Sequence, residues 1–235
     1  MRELVYGRNA VREAARGPRE VLELWATDRA AETEAWLREE GVPRIQVRKE
    51  KELSDVAKTR DHQGLLAWCE PFRYADAWEL AVVDAPLLVC LDQVTNPRNL
   101  GAVARAAAGA GATGVILPSH GSAGVTAEVA RASAGAVEHV PIAVVTNLAR
   151  YLEEIKRDDL WIYAATGGTA NTYWEADFRE GVALVFGAEK KGLRPLVRRR
   201  CDMEISIPLS GSVESLNVSV AAAVMLYEAA RQRRD

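Results

Sequence analysis

Three stretches of this chain combine residue types that hold ligands and orient reacting groups rather than merely filling a core. The first, LDQVTNPRNLGAVARAAAGAGATGVIL, runs from a hydrophobic strand through a polar turn into a helix of small residues. Asn99, Gly101 and Arg105 form an Asn-x-Gly-x-x-x-Arg pattern at the helix start. Asn99 and Arg105 are too far apart to be one-turn neighbours, yet both can border the strand-end crevice where open α/β sheets bind ligands. The second, ALVFGAEKKGL, ends a buried strand at Gly187, places Glu189 in the turn and closes at Gly192. Glycine there lets the backbone approach a ligand closely or adopt positive φ. The third, ISIPLSGSVESLNVSVAAAVMLYEAAR, is a strand, a loop with Pro208, Gly211 and Ser215, and a helix whose first turn presents Ser215, Leu216 and Asn217.

Each stretch alone has a plainer reading: a nucleotide-type turn with an incidental arginine, a tight turn with a solvated glutamate, a helix N-capped by Ser215. Asn217-Val218-Ser219 also fits a glycosylation sequon, set aside for a cytoplasmic helix. Neither NLGAVARAAAG nor GAEKKG supplies Gly-x-Gly-x-x-Gly after a strand, which argues against a dinucleotide-dependent oxidoreductase.

The elements that must position these residues follow from periodicity. Apolar runs of strand length recur at Leu87–Leu91, Val115–Leu117, His139–Ala143, Trp161–Ala165, Val182–Phe186 and Glu204–Ile207. Alanine-rich, helix-like segments lie between most of them, the alternation of a parallel sheet covered on both faces. The last element, Ser215 to Arg231, carries Leu216, Val220, Ala223, Val224 and Tyr227 on one helical face, expected to pack on the sheet or on another subunit. Ahead of this, residues 4–66 read as a small α/β unit: a helix around Ala10–Arg16, a strand Val21–Ala26, a helix from Ala30 to Glu40 ended by Gly41, and a strand Ile45–Val47. The pattern loosens from Glu70 to Pro86, so the expected domains are 1–70 and 87–235, joined by a linker over 71–86.

Composition narrows the classes. With 49% hydrophobic and 27% charged residues, the chain is neither disordered nor collagen-like. No apolar run reaches the roughly 18 residues of a membrane span, and charged residues follow Met1 at once, so a cytoplasmic location with no membrane partner is expected. Cys69, Cys90 and Cys201 lack the close pairs of structural zinc sites and read as buried thiols. A net charge of −3 means that any nucleic acid must be held by a local basic surface and by shape.

Together, and in this order, the three stretches resemble the SpoU/TrmH family of RNA ribose 2′-O-methyltransferases within the SPOUT superfamily, over residues 87–235. VYGRNAVREA and DHQGLLA resemble that family's RNA substrate-binding domain. Those two stretches and VTNLAR are similar to the bacterial guanosine 2′-O-methyltransferases of 23S ribosomal RNA. The resemblance implies an α/β fold in which a C-terminal parallel-sheet α/β-knot (SPOUT) domain with a trefoil knot is preceded by the small α/β RNA-binding domain. It also implies S-adenosylmethionine as donor without a metal, a ribosomal RNA substrate, and a homodimer formed through the C-terminal domain. Transfer RNA, another ribosomal site, or a non-catalytic RNA-binding role are the alternatives.

By the same resemblance three loops hold the donor: Thr166-Gly167-Gly168, Phe186 to Gly192 with Gly187, Ala188 and Glu189, and Ile207 to Leu216 with Leu209 and Ser215. The sulfonium methyl is expected to face Asn99 and Arg105, with Glu189, Ser215 and Asn217 positioning donor or substrate. A guanidinium stays protonated at neutral pH, so Arg105 is read as fixing the ribose-flanking phosphate and developing oxyanion, leaving the proton acceptor open. Lys190 stands where many family members have glycine. RNA contacts are expected from Arg98, from the cluster Arg194, Arg198, Arg199 and Arg200, and from Arg8, Arg12 and His62 with Gln63. His120 and His139 read as structural or surface residues.

Overall fold

The computed structural model describes residues 2–39, 42–189 and 191–234, and the chain divides into two compact units. One comprises Met1–Arg73 with Val125–His139, the other Tyr74–Gly124 with Val140–Asp235.

The first unit is built on β1 (Glu3–Tyr6), α1 (Arg8–Arg16), β2 (Val21–Ala26), α2 (Asp28–Thr33), β3 (Ile45–Val47), α3 (Glu50–Ala57) and β4 (Leu65–Cys69). The sheet order is β1-β4-β2-β3, with β4 antiparallel to both neighbours and β2 parallel to β3. Sequence periodicity misses β4 because a central strand is apolar on both faces, and LLAWC shows no alternation to read. The helix expected from Ala30 to Glu40 is two pieces. Thr27 caps α2 by accepting from the Ala30 N–H, the chain turns extended at Glu34, and a 3₁₀ turn over Ala35–Arg38 buries Trp36 and Leu37. Gly41, its expected terminator, lies outside the described residues.

The second unit continues with α4 (Ala77–Ala81), β5 (Leu87–Asp92), α5 (Pro97–Ala110) and β6 (Gly114–Pro118). After α6 (Ala127–Ala132), which belongs to the first unit, come β7 (Ile142–Val145), α7 (Leu148–Glu154), β8 (Leu160–Ala165), β9 (Gly181–Gly187), α8 (Pro195–Arg200), β10 (Met203–Ile205) and α9 (Val218–Gln232). Six parallel strands lie in the order β10-β8-β9-β5-β6-β7, and β5 and β6 are buried throughout. Strand order reverses between β5 and β9, which by the rule for open parallel sheets puts a ligand crevice at their C-terminal ends. Residues of the expected linker take part in this unit: Asp76 caps α4, the Tyr151 hydroxyl donates to the Ala77 carbonyl at 2.8 Å, and Trp78 packs edge-on against Tyr151. Burial pushes the Cys69 thiol up to about 11 and Cys201 up to about 12, and raises Cys90 further, so all three stay protonated at neutral pH.

Residues 125–139, read from sequence as part of the C-terminal domain, pack within the first unit. Its α6 lies against β1, and a 3₁₀ turn over Ala136–Glu138 lies against α1. The buried Arg19 donates through Nε to Glu138 Oε2 at 2.9 Å and through Nη2 to Oε1, while Nη1 reaches Glu3 and the Glu70 carbonyl. Both side chains are nearly inaccessible, at 4% and 1% exposure, so either charge alone would be stranded. Glu138→Ala is therefore expected to destabilise this unit by about 3–5 kcal/mol in denaturant unfolding, against under about 1 kcal/mol for the exposed pair partner Arg73→Ala.

Candidate functional site

The C-terminal ends of β8, β9 and β10 open into a cleft of about 340 Å³, within the roughly 300–1,000 Å³ usual for small-ligand sites. Thr166 and Gly167 form one wall, Gly187, Ala188, Glu189 and Gly192 a second, and Ile207, Leu209, Ser215 and Leu216 a third. Thr166, Gly167, Gly187, Ala188, Glu189, Gly192, Ile207, Leu209, Ser215 and Leu216, expected from sequence to hold the donor, thus line one cavity with Phe186 and Met225, whereas Gly168 is not part of its lining.

The walls are tied together by backbone. The Thr166 N–H donates to the Ile205 carbonyl, and the Ser206 and Tyr173 N–H groups bond the Asn171 and Ser206 carbonyls, lacing the loop after β8 to the one after β10. The Thr166 hydroxyl donates to Glu204 at 3.2 Å, and the Arg198 guanidinium grips the same carboxylate at 2.5 and 2.6 Å, holding it below the usual carboxylate range. The loop after β9 doubles back on itself, with Ala188 and Gly192 exchanging backbone hydrogen bonds at 3.2 and 2.8 Å. A Cβ on Gly187 would sit 2.2 Å from the Gly192 carbonyl carbon, so the close approach admits only glycine.

Polar side chains then join the three sequence stretches. Asn96 caps α5, Pro97 opens it, and Asn99 is buried in its first turn. Asn99 Nδ2 donates to Glu189 Oε1 at 2.9 Å, and Asn217 Nδ2 donates to Asn99 Oδ1 at 3.1 Å and also to Glu189 Oε1. Asn217 Oδ1 accepts from the Ser219 N–H at 2.9 Å, so Asn217 is the N-cap of α9. Ser215, expected to be that cap, lies instead on the exposed loop leading to the helix, where it lines the cleft. The chain from Pro208 to Leu216 is without helix, which moves the cap to the last polar residue before Val218.

Two family models match the chain: "SpoU rRNA Methylase family" over residues 86–227 and "RNA 2'-O ribose methyltransferase substrate binding" over residues 4–75. The chain belongs to the SpoU rRNA methylase family. It is accordingly an RNA methyltransferase. It is 40% identical over 241 residues to the 23S rRNA (guanosine-2'-O-)-methyltransferase RlmB of Vibrio cholerae, covering 98% of this chain and 97% of the relative. It is 38% identical to a tRNA/rRNA methyltransferase of Synechocystis, covering 98% of this chain but 63% of the relative's length. The SpoU methyltransferase AviRb from Streptomyces viridochromogenes, solved in complex with the cofactor AdoMet, superposes with a TM-score of 0.83 at 27% identity, over 99% of this chain and 90% of that one.

Within this SpoU methyltransferase, Arg105 is exposed on α5 and makes no hydrogen bond or ion pair among the described residues, which leaves its guanidinium available to a ligand. Several arginines expected to meet RNA have carboxylate partners within the chain. Arg194 is held by the buried Asp92, Arg198 by Glu204, Arg200 by Glu153, Arg8 by Glu34 and Arg12 by Glu13. Arg98 and Arg199 are exposed at the surface. His62, 1% exposed, has both ring nitrogens engaged, Nδ1 accepting from the Gly64 N–H and Nε2 facing the Ser54 hydroxyl at 2.9 Å. Burial and these two bonds tie His62 into the fold of its own unit. His139 pairs with Glu13 and His120 is exposed, as read from sequence, while Lys190 lies outside the described residues.

Sequence reasoning passed over Asp92, Glu204 and Ser206, which organise the walls. The signal for Asp92 was present: a carboxylate ending a fully apolar strand run has no reason to be there unless it is paired.

Gly187→Ala is expected to displace the loop after β9 and weaken binding of S-adenosylhomocysteine at least tenfold by calorimetry, because the methyl cannot be accommodated against backbone. Burial lowers the pKa of His62 from its ordinary 6.5. Its neutral form is therefore favoured by folding, and its contribution is complete above the unfolded value and lost as the pH falls through the lower folded one. In urea unfolding, the stability gap between wild type and His62→Asn should narrow between about pH 7 and pH 5.

Proposed function

We propose that the chain transfers a methyl group from S-adenosylmethionine to the 2′-hydroxyl of a guanosine ribose in 23S ribosomal RNA. The observation that carries this reading is the hydrogen-bonded set Asn99, Glu189 and Asn217, which fastens the helix bearing Arg105 to the wall of a cleft of small-ligand size.

The donor set suits that cofactor. Backbone groups at Gly187, Ile207, Leu209 and Leu216 would hold its adenine and ribose, and Phe186 and Met225 would offer the adenine an apolar floor, with Thr166, Gly167, Ala188, Gly192 and Ser215 completing the enclosure. When bound, S-adenosylmethionine supplies an electrophilic methyl on cationic sulfur. The chain's own task is alignment: the 2′-oxygen must meet the methyl carbon in line while its proton departs, and fixed geometry supplies much of the rate. Arg105 holds the neighbouring phosphate in a two-pronged grip and stabilises the charge that grows on oxygen. Glu189 and Asn217, fixed by Asn99, keep the loop after β9 and the start of α9 in register with it.

Residues 1–70 serve to bind RNA and residues 87–235 to bind donor and catalyse, with the loops after β8, β9 and β10 forming part of a trefoil knot. The enzyme acts in the cytoplasm as a homodimer. Val220 and Tyr227, 48% and 55% exposed with Ala223 and Val224 between them, give α9 an apolar outer face that a second copy would cover. Val220, Ala223, Val224 and Tyr227 are four of the five residues assigned to one face from sequence; the fifth, Leu216, precedes the helix and lines the cleft, and Val218, Ala222, Met225, Leu226 and Ala229 face the core. Transfer RNA is the second reading, since the Synechocystis relative is named for both substrates.

Incubation with methyl-labelled donor and either 23S rRNA or total tRNA, followed by mapping of 2′-O-methyl groups, tests the reading. Label is expected on guanosine of the ribosomal RNA. Arg105→Lys, which keeps charge and loses the planar fork, should bind S-adenosylhomocysteine normally while turnover falls about a hundredfold or more. Near-normal turnover would remove the geometric role of Arg105.

A further inference from the structure

The loop after β9 has two fixed ends, and both lie on one rung of the sheet. Gly187, where the loop begins, is the register partner of Asp92 at the end of β5. The loop crosses back over Gly187 and is then caught at Arg194: its N–H donates to Asp92 Oδ2 at 2.8 Å, its Nε to Oδ1 at 2.8 Å, and its Nη2 lies 2.7 Å from the same Oδ1. The Asp92 side chain is fully buried, whereas Arg194 retains 41% exposure.

We infer that Asp92 is a positioning residue for the donor pocket, acting through Arg194 to close the loop that carries Gly187, Ala188, Glu189 and Gly192. This rests on the reading of the cleft as the S-adenosylmethionine site. A carboxylate sealed in the sheet is an unfavourable place for charge unless its partners are fixed, and here the partners are the backbone and guanidinium of one residue. The same carboxylate binds the loop to β5, whose next turn leads into α5 and Asn99, so one side chain couples the first and second sequence stretches. Arg194, counted from sequence among the RNA contacts, is assigned to donor binding instead. The cleft wall it steadies includes Leu193 and Gly192, immediately before it in the chain.

The test uses the full-length enzyme and two variants, Asp92→Asn and Arg194→Ala, the second placed on the exposed side of the pair so that folding survives. Titration with S-adenosylhomocysteine and steady-state kinetics are read together. Both variants are expected to weaken the ligand about tenfold and to raise KM for the donor by a similar factor, with KM for RNA unchanged. Arg194→Lys, which preserves the charge and one hydrogen bond, should recover part of the loss. Wild-type donor affinity in both variants would overturn the inference. So would a raised KM for RNA and a shallower salt dependence in Arg194→Ala with donor binding intact, which is the behaviour of a phosphate contact. Failure of the wild-type enzyme to bind S-adenosylhomocysteine at all would instead overturn the reading of the cleft, and the inference with it.

Discussion

Glu189 Oε1 accepts from the side-chain amides of both Asn99 and Asn217, and the two amides also bond one another. The three residues lie on α5, on the loop after β9 and at the start of α9, segments separated by 90 and 28 residues of chain. Helices α5 and α9 also pack on one another and Arg194 ties the loop after β9 to Asp92, so the junction adds side-chain register to segments already close in space. Hydrogen bonds to a charged acceptor are stronger than neutral ones, roughly 1.5–3 kcal/mol each, which suits a junction of only three side chains. Asn217 extends the junction into the helix it caps, so one amide links the N-terminus of α9 to the wall of the cleft.

Charge is used in this protein mostly against itself. Three of the four arginines in the stretch from Arg194 to Arg200 are tied to Asp92, Glu204 and Glu153, and those of α1 to Glu13, Glu34 and Glu39. Paired guanidinium groups fix loops and helix ends. An exposed guanidinium with no carboxylate, such as that of Arg105, is then set apart from a background of neutralised charge, and a net charge of −3 is compatible with an RNA substrate.

The parallel sheet was legible in sequence because central strands such as Leu87–Asp92 and Gly181–Gly187 are apolar without interruption and are spaced by helices. The cleft was legible because glycines mark where backbone crosses backbone, as at Gly187, and because the three stretches resemble a known family. What escaped notice is of two kinds. Ser215 and Asn217 are both good caps, and only the extended chain before Val218 decides between them. Arg194 looks like a surface residue in a polar stretch, but its pairing depends on Asp92, 102 residues away, while His62 bonds the nearby Ser54 and Gly64 and is buried by the packing of its unit. Periodicity carries no information about such contacts.

The pairing of Arg19 with Glu138 spans 119 residues. A ribosome adds roughly 5–20 residues per second, so the arginine waits on the order of 6–24 s before Glu138, its buried counter-ion, is even synthesised. During that interval the N-terminal sheet can offer it, among the described residues, only Glu3 and the Glu70 carbonyl. The first unit therefore cannot be finished when its leading stretch, Met1–Arg73, has been made, and its final closure must follow the synthesis of more than half the chain.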